Sequence, residues 1–582
     1  MTQLLQTILL SATLAMVNCE FKLLLLHTND MHARFEETNA HSGLCYKGRG
    51  RCYGGFARLK TAVNQYKQQA KKESYNTIFL NAGDTYQGTV FFTLFKAGIV
   101  SELTNMLGID VMSLGNHEFD DGPEGLTPFL KKTLVPVVCS NIDDSSEPQL
   151  EVSTLSPSRV LDINGVKVGV IGYLTPDTKF LAKTRNVKFE DEIVAIKRES
   201  EKLKSKGVKI LIALGHSGYN TDKKIAEQVP DLDVVVGGHT NTFLYNGKVP
   251  DSDQSEGPYP TLVKQDSGRN VLVVQAYAYT KYLGHLKLTF DDEGEVLHSE
   301  GNPILLDDTF KKDGEIERAV LKYANEVKEL AGRKIGSSKT FLEADHASCR
   351  LRECNFANLL TDAMVQMNAQ DFTGEGWTDA PIAFIQGGSF RSSIDTVLSR
   401  GEITYSDLLT TLPFQNSVEK LLISGEILRQ VLEHSVEWYD PVERVGAFMQ
   451  FSGVYVKYDL SKPVGQRVVS ALIRCGDCGV PHYLPLDTSK QYMVLTNTFL
   501  ADGGDGYSML KEATERTALA YTDVGALESF IKDRSPVHPE IEGRITFEPN
   551  GTPNTASSTS LNLLTAILCL STLSMFSSLL SK

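Results

Sequence analysis

Residues 23–32 read Leu-Leu-Leu-Leu-His-Thr-Asn-Asp-Met-His. An apolar run of strand length stops abruptly at polar residues, among them Asp30 and His32, whose side chains ligate metals and carry protons. The same pattern recurs along the first half of the chain. Thr77-Ile78-Phe79-Leu80 runs into Asn81-Ala82-Gly83-Asp84, and Val111-Met112-Ser113-Leu114 into Gly115-Asn116-His117-Glu118-Phe119-Asp120. Residues 210–214 run into Gly215-His216, and Val234-Val235-Val236 into Gly237-Gly238-His239-Thr240-Asn241. Each is a buried-strand candidate that terminates in Asp, Asn or His, mostly beside glycine. In open α/β sheets ligands bind outside the carboxyl ends of the strands, so these ends are expected to share one rim. A glycine before the polar residue lets the backbone turn sharply and approach closely.

Taken singly, Asp-x-His reads as a turn with a satisfied histidine, and Gly-Asn-His-Glu as a polar loop. The coincidence of five strand ends argues for metal. Asp, His and the carbonyl of Asn are hard-to-borderline donors suited to Zn, Mn or Fe. Six or seven such donors exceed the need of one tetrahedral ion and fit two metals sharing a bridging carboxylate.

The rest of the chain bounds what such a site serves. At 582 residues the chain is too long for one core, and at roughly 100–200 residues per domain it holds two to four. With 41% hydrophobic and 22% charged residues the bulk is globular. A net charge of −14 argues against a nucleic-acid polymer as partner but not against a small anion, because a local metal or Arg cluster overrides the global field. Residues 4–17 have the length of a secretory apolar core and are too short to span a bilayer, although no Lys or Arg precedes them; a buried N-terminal helix or strand is the alternative. Residues 550–560 are small and polar, and residues 561–580 mostly apolar, which is the pattern of a glycolipid-anchor signal with attachment near Asn550 or Gly551. An ordinary transmembrane helix is the competing reading of that tail. Cys45 with Cys52, Cys349 with Cys354 and Cys475 with Cys478 are near neighbours that close small loops in an oxidising compartment, and Cys139 is left as a buried thiol.

Residues 315–331 carry Ile316, Val320, Tyr323, Val327 and Leu330 at helical spacing, with Gly332 as the stop. A connecting helix there divides the chain in two.

The five blocks together resemble the calcineurin-like metallophosphoesterase set and, more narrowly, the 5′-nucleotidase family. The second half is similar too, in Cys349-Arg350-Leu351-Arg352-Glu353-Cys354, Gly387-Gly388-x-x-Arg391, Leu412-Pro413-Phe414 and residues 497–506, Asn-Thr-Phe-Leu-Ala-Asp-Gly-Gly-Asp-Gly. With both terminal segments the chain is most similar to the membrane-anchored ecto-5′-nucleotidase branch. The resemblance implies an α/β (α+β) two-domain fold. Residues 20–312 would form a four-layer metallophosphoesterase-type β-sandwich with helices, 313–334 a linker helix, and 335–547 a mixed α/β nucleotide-binding domain. Residues 1–19 would be a signal peptide and 551–582 a removed anchor signal.

The resemblance also implies roles. Asp30, His32 and Asp84 hold one metal, with Asn241 nearby; Asp84, Asn116, His216 and His239 hold the other, and Asp84 bridges. The two divalent ions are zinc, with Mn or another divalent metal as alternatives. His117 and Asp120 form a catalytic dyad. Arg350 and Arg391 contact phosphate or ribose, Phe414 and Phe499 sandwich the base, and Asp505 binds ribose hydroxyls. Gln386 stands where the vertebrate branch has Asn, and its longer amide reaches toward the base. The implied activity is extracellular hydrolysis of nucleoside 5′-monophosphates, with an apyrase or UDP-sugar hydrolase as the competing enzyme readings. A catalytically silent surface protein is disfavoured because no ligand is lost. The implied partners are a nucleotide and, through the glycolipid anchor, a membrane, and a homodimer is left open.

Overall fold

A computed structural model of the chain describes residues 20–46 and 48–549. The leader-like segment, the apolar tail and Asn550 lie outside the described residues.

The leucine run is the middle of the strand Phe21–Thr28, which pairs antiparallel with Tyr282–Phe290 and parallel with Asn76–Asn81. Side chains alternate across a strand, so a run apolar at every position must be covered on both faces. Leu24 and Leu26 pack under the helices Phe56–Lys72 and Val90–Leu107, while Leu23 and Leu25 join Ile78, Leu80 and Val111 in the core beneath. All four leucines are at most 1% exposed, and burial of each stabilises the fold by about 1.5–3 kcal/mol.

That inner core is shared with a second, six-stranded sheet ordered Thr261–Lys264, Asn270–Val274, Val234–Val236, Ile210–His216, Val166–Leu174 and Ser158–Ile163. Its four inner strands are parallel, and the helices Glu192–Ser205 and Tyr219–Gln228 cover its outer side. The result is four layers, helix–sheet–sheet–helix. Phe21–Thr28, Asn76–Asn81 and Val111–Ser113 lie in the eight-stranded sheet, Ile210–His216 and Val234–Val236 in the other. Their carboxyl ends open on the same rim.

Helix Gly314–Ala331 follows, its first turn capped by the Asp313 side chain, which accepts from the backbone N–H groups of Glu315 and Ile316. Ile316, Val320, Val327 and Ala331 are its buried stripe, set against the two helices that cover the leucine run. Beyond it a five-stranded mixed sheet is ordered Met449–Ser452, Ile382–Gln386, Gln491–Asn497, Ser417–Ser424 and Glu515–Thr522. A four-stranded sheet of Tyr483–Pro485, Val468–Arg474, Val454–Tyr458 and Ile545–Phe547 completes this half. Disulfides join Cys45 to Cys52, Cys349 to Cys354 and Cys475 to Cys478, and Cys139 is a buried free thiol.

Candidate active site

The five strand ends converge on the Asp84 carboxylate. Its Oδ2 is 2.9 Å from His216 Nε2, 3.8 Å from His32 Nε2 and 3.9 Å from His117 Nε2. Asp30 Oδ1 lies 3.8 Å from His32 Nε2 and 3.7 Å from His216 Nε2. His239 joins Asp84 and His216 in a cluster whose ligand atoms lie within 4.8 Å of one another. Reaching these positions strains the backbone. Asp30, His32, Asp84, His239 and Asn241 all have left-handed φ, between 46° and 80°, which costs a side-chain-bearing residue about 1–2 kcal/mol.

Glu118 holds the most crowded of these turns. Its carboxylate is 1% exposed and accepts four backbone N–H bonds: Gly115 at 2.6 Å, Asp84 at 3.0 Å, Thr85 at 2.8 Å and Tyr86 at 3.1 Å. It thereby ties the loop after Asn76–Asn81 to the loop after Val111–Ser113. Two glycines permit the approach: a Cβ on Gly83 would meet Gly115 N at 2.5 Å, and one on Gly115 would meet Asp84 Oδ1 at 2.2 Å. Glu118 stands inside the Gly-Asn-His-Glu block but received no role from the sequence. Its signal was an acid buried among ligands and not needed as one.

The donor set fits metal. His216 Nδ1 lies 2.8 Å from Ala82 O, His239 Nδ1 3.0 Å from Asn116 Oδ1, and His32 Nδ1 3.3 Å from Tyr86 O. The partners of His216 and His32 are backbone carbonyls that only accept, so their Nδ1 atoms carry the proton and their Nε2 atoms offer a lone pair, as in metal sites with a supporting outer shell. The His239–Asn116 contact joins two residues expected from the sequence to hold the same metal. Arg391 confirms it at His32, donating to Nε2 at 2.9 Å. Asp30 Oδ1 and Asn241 Oδ1 are buried without a hydrogen-bond partner, as ligand atoms need to be. Burial lowers the His216 pKa, but the Asp84 and Asp30 carboxylates overturn that and push it up to about 10. A proton thus takes the place for which the geometry provides a cation. Burial, with His216 nearby, pushes His239 down to about 3.

His117 Nδ1 is 2.8 Å from Asp120 Oδ2, which also accepts from Gln87 Nε2 at 3.1 Å. Its backbone N–H donates to Asp84 Oδ1 at 3.0 Å. Burial lowers the imidazole, but the Asp120 and Asp84 carboxylates outweigh it and hold His117 above its ordinary value. His117 also lies within ligating reach of His32 and Asp84.

The second half closes over this rim. Phe414 lies 5.8 Å from the His117 ring, and the Arg391 guanidinium 6.0 Å from Phe414. Arg350 is held by Arg444 O at 3.0 Å, and the Nε atoms of both Arg350 and Arg391 are buried and unpartnered. Phe499 is half-buried at the start of the loop that carries Asp505, whose carboxyl burial pushes up to about 6 against Arg350. Gln386 is 4% exposed, and its Oε1 accepts from Asn497 Nδ2 at 3.1 Å, so that oxygen already has a partner inside the domain. No motif pointed to His346. It meets Asn241 Nδ2 at 3.1 Å, Tyr279 Oη at 3.3 Å and Arg350 at 3.3 Å, joining the metal rim to the second half.

Known proteins carry the same two parts. Residues 23–243 match the calcineurin-like phosphoesterase family and residues 334–512 the 5′-nucleotidase C-terminal domain. The chain is 43% identical to a 5′-nucleotidase of Diplobatis ommata over 91% of this chain and 90% of that one. It is 41% identical to a human 5′-nucleotidase over 90% and 91%.

The chain belongs to the 5′-nucleotidase family.

The crystal structure of a 5′-nucleotidase precursor from Thermus thermophilus, 35% identical, superposes with a TM-score of 0.82 over 90% of this chain and 99% of that one. Membership in a calcineurin-like phosphoesterase family implies a dinuclear divalent site, which the Asp and His clusters of this 5′-nucleotidase fold accommodate.

Replacing Glu118 by Gln puts an NH2 group against backbone N–H donors. Metal affinity, titrated against a chelator, is expected to fall about 10–100-fold with the fold retained; unchanged affinity would remove Glu118 from its supporting role. For Asp120→Asn the expectation concerns pH. The protonated His117 persists above its ordinary range and is lost as pH rises through the raised value. Without the Asp120 charge that loss comes at lower pH. The alkaline limb of the rate profile should move acidward, with turnover down about 100-fold.

Proposed function

We propose that the chain hydrolyses nucleoside 5′-monophosphates, such as AMP, to nucleoside and phosphate. The observation that carries this is the meeting of the two halves: Arg391 from the second reaches His32 of the first at 2.9 Å, beside Phe414 and His117. A ligand with an anion at one end and a flat ring at the other spans that junction. Two divalent cations, when bound, supply a Lewis-acid clamp on the phosphate and activate the attacking water. Asp30, His32, Asp84, Asn116, His216, His239 and Asn241 are the residues assigned to hold them. This Asp, His and Asn set favours zinc, with Mn as the alternative.

The chain's own residues do the rest. Arg350 and Arg391 present planar, bidentate donors to phosphoryl oxygens, a geometry lysine does not offer. His117, whose protonated form the Asp120 carboxylate favours, donates to the phosphoryl oxygen on which charge builds. Phe414 and Phe499 stack on the base, which gives nucleoside preference with loose base selectivity. Asp505 accepts from the ribose hydroxyls, and Gln386 keeps its Nε2–H group for the base. Phosphate release from AMP is expected to exceed that from ADP, ATP and UDP-glucose in a panel on purified protein. Faster hydrolysis of the triphosphate or of the sugar nucleotide would transfer the assignment to anhydride cleavage.

The same reading places the mature chain outside the cell, with residues 1–19 removed and a glycolipid on Asn550 after loss of 551–582. It is supported by the composition of both ends and by three disulfides. Phospholipase C specific for glycolipid anchors should then release the activity from cells. Activity that stays on the membrane while a control anchored protein is released would make the tail a transmembrane helix.

A further inference from the structure

The hairpin between the strands Val468–Arg474 and Tyr483–Pro485 carries Cys475-Gly476-Asp477-Cys478 and, four residues on, His482. The two sulfurs and a ring nitrogen of His482 lie within 4.8 Å of one another. His482 Nδ1 is 3.3 Å from Cys475 Sγ, and the His482 backbone N–H donates to the same sulfur at 3.4 Å. The loop does not depend on the sulfur–sulfur bond for its shape. Cys475 N–H donates to His482 O at 3.0 Å, and Trp377 donates its backbone N–H to Gly476 O at 3.0 Å and its indole N–H to Cys475 O at 2.8 Å. Opening the disulfide therefore leaves two thiols and an imidazole held side by side.

The three disulfides differ in access. Cys349 and Cys354 are 0% exposed. Cys45 and Cys52 are half-buried, and among the described residues no imidazole lies at hydrogen-bond distance from their sulfurs. Cys475 and Cys478 are half-buried with an exposed imidazole beside them.

We propose that Cys475–Cys478 is a reducible disulfide and that its open form, with His482, binds one borderline-soft divalent metal such as Zn(II), apart from the dinuclear site. A thiolate of an external dithiol attacks Cys478 Sγ. The S–S bond breaks with its electron pair on Cys475 Sγ, which takes a proton from His482 or water. The second thiol of the reductant then displaces Cys478 and leaves as its own disulfide, so two electrons enter the protein. The cation replaces the two thiol protons. The His482 Nδ1 proton, which bonds Val480 O at 3.1 Å, shifts by way of water to the exposed Nε2, and the freed Nδ1 lone pair binds the cation. Water completes four-coordination. Two thiolates and an imidazole are donors that select zinc over calcium or magnesium.

The test uses the whole protein, treated with dithiothreitol, freed of it without air, and titrated with Co(II). Alkylation and mass spectrometry should find Cys475 and Cys478 labelled before the other pairs. Cobalt should produce a thiolate-to-metal charge-transfer band at one equivalent per chain, discharged by Zn(II), with near-UV circular dichroism unchanged. The catalytic cluster has only Asp, His and Asn donors, and Cys139 is buried, so neither gives that band. His482→Ala keeps the disulfide and alters only an exposed side chain. It should weaken cobalt binding at least about 10-fold. Earlier labelling of Cys45 or Cys349, absence of the band, loss of the dichroism on reduction, or undiminished affinity in His482→Ala would each overturn the proposal.

Discussion

Asp84 is the constraint on which the first half is built. One buried carboxylate has three imidazole nitrogens within 4 Å, and a second carboxylate, Asp30, stands against two of them. The Nδ1 atoms of His32 and His216 are spent on backbone carbonyls, so their Nε2 lone pairs face carboxylate oxygens. Lone pair against lone pair in a buried site is repulsive, and only positive charge between them relieves it. Without metal a proton does so at His216, at the cost of a strongly raised pKa. Two divalent cations satisfy the whole set.

That arrangement is held by residues that never touch a metal in this reading. The left-handed turns at Asp30, His32, Asp84, His239 and Asn241 would relax if the chain around them allowed it. Glu118 prevents this at Asp84 by gathering four N–H groups from two loops. Asp222 lies under the second sheet's rim, fully buried, bonded by Tyr173 and Gln275 at 2.7 Å each, with Gly237 so close that a Cβ would meet its oxygen at 1.8 Å. Strain at the ligands is thus offset by buried acids one layer away.

What the sequence made legible follows from the same physics. Strand runs and their polar ends are local, so Leu23–Leu26 and the blocks at Asp84, Asn116, His216 and His239 could be placed on a rim from spacing alone. The connecting helix was legible from its stripe at Ile316, Val320 and Val327 and from Gly332. Glu118 was visible but mute, because its partners are backbone N–H groups, which no motif records. His346 was invisible: its contacts, Asn241 and Tyr279, are 105 and 67 residues distant in sequence. Gln386 was read as reaching the base, yet its oxygen is engaged by Asn497, a pairing that depends on the register of two strands.

The second half completes an electrostatic pair. Opposite the carboxylates and lone pairs stands a group of arginines, Arg34 and Arg391 buried and Arg350 half-buried, with Arg391 close enough to perturb the other two. Burial pushes Arg34 and Arg350 down to about 10, with Arg391 contributing to both. Like charges held this close are unfavourable without a counter-charge, and Arg391 donates to His32 Nε2. Under the proposed function, a phosphate dianion between the two layers would accept from the guanidinium groups on one side and face the cations on the other. The chain's −14 charge is no obstacle, because screening confines exposed charges to about 10 Å while the buried layers act at contact. Each layer is destabilised without its counter-charge, and under the proposed function the substrate would supply part of it. On that proposal binding energy would be concentrated where phosphorus reacts, and Phe414 and Phe499 would be left only the task of choosing a nucleoside.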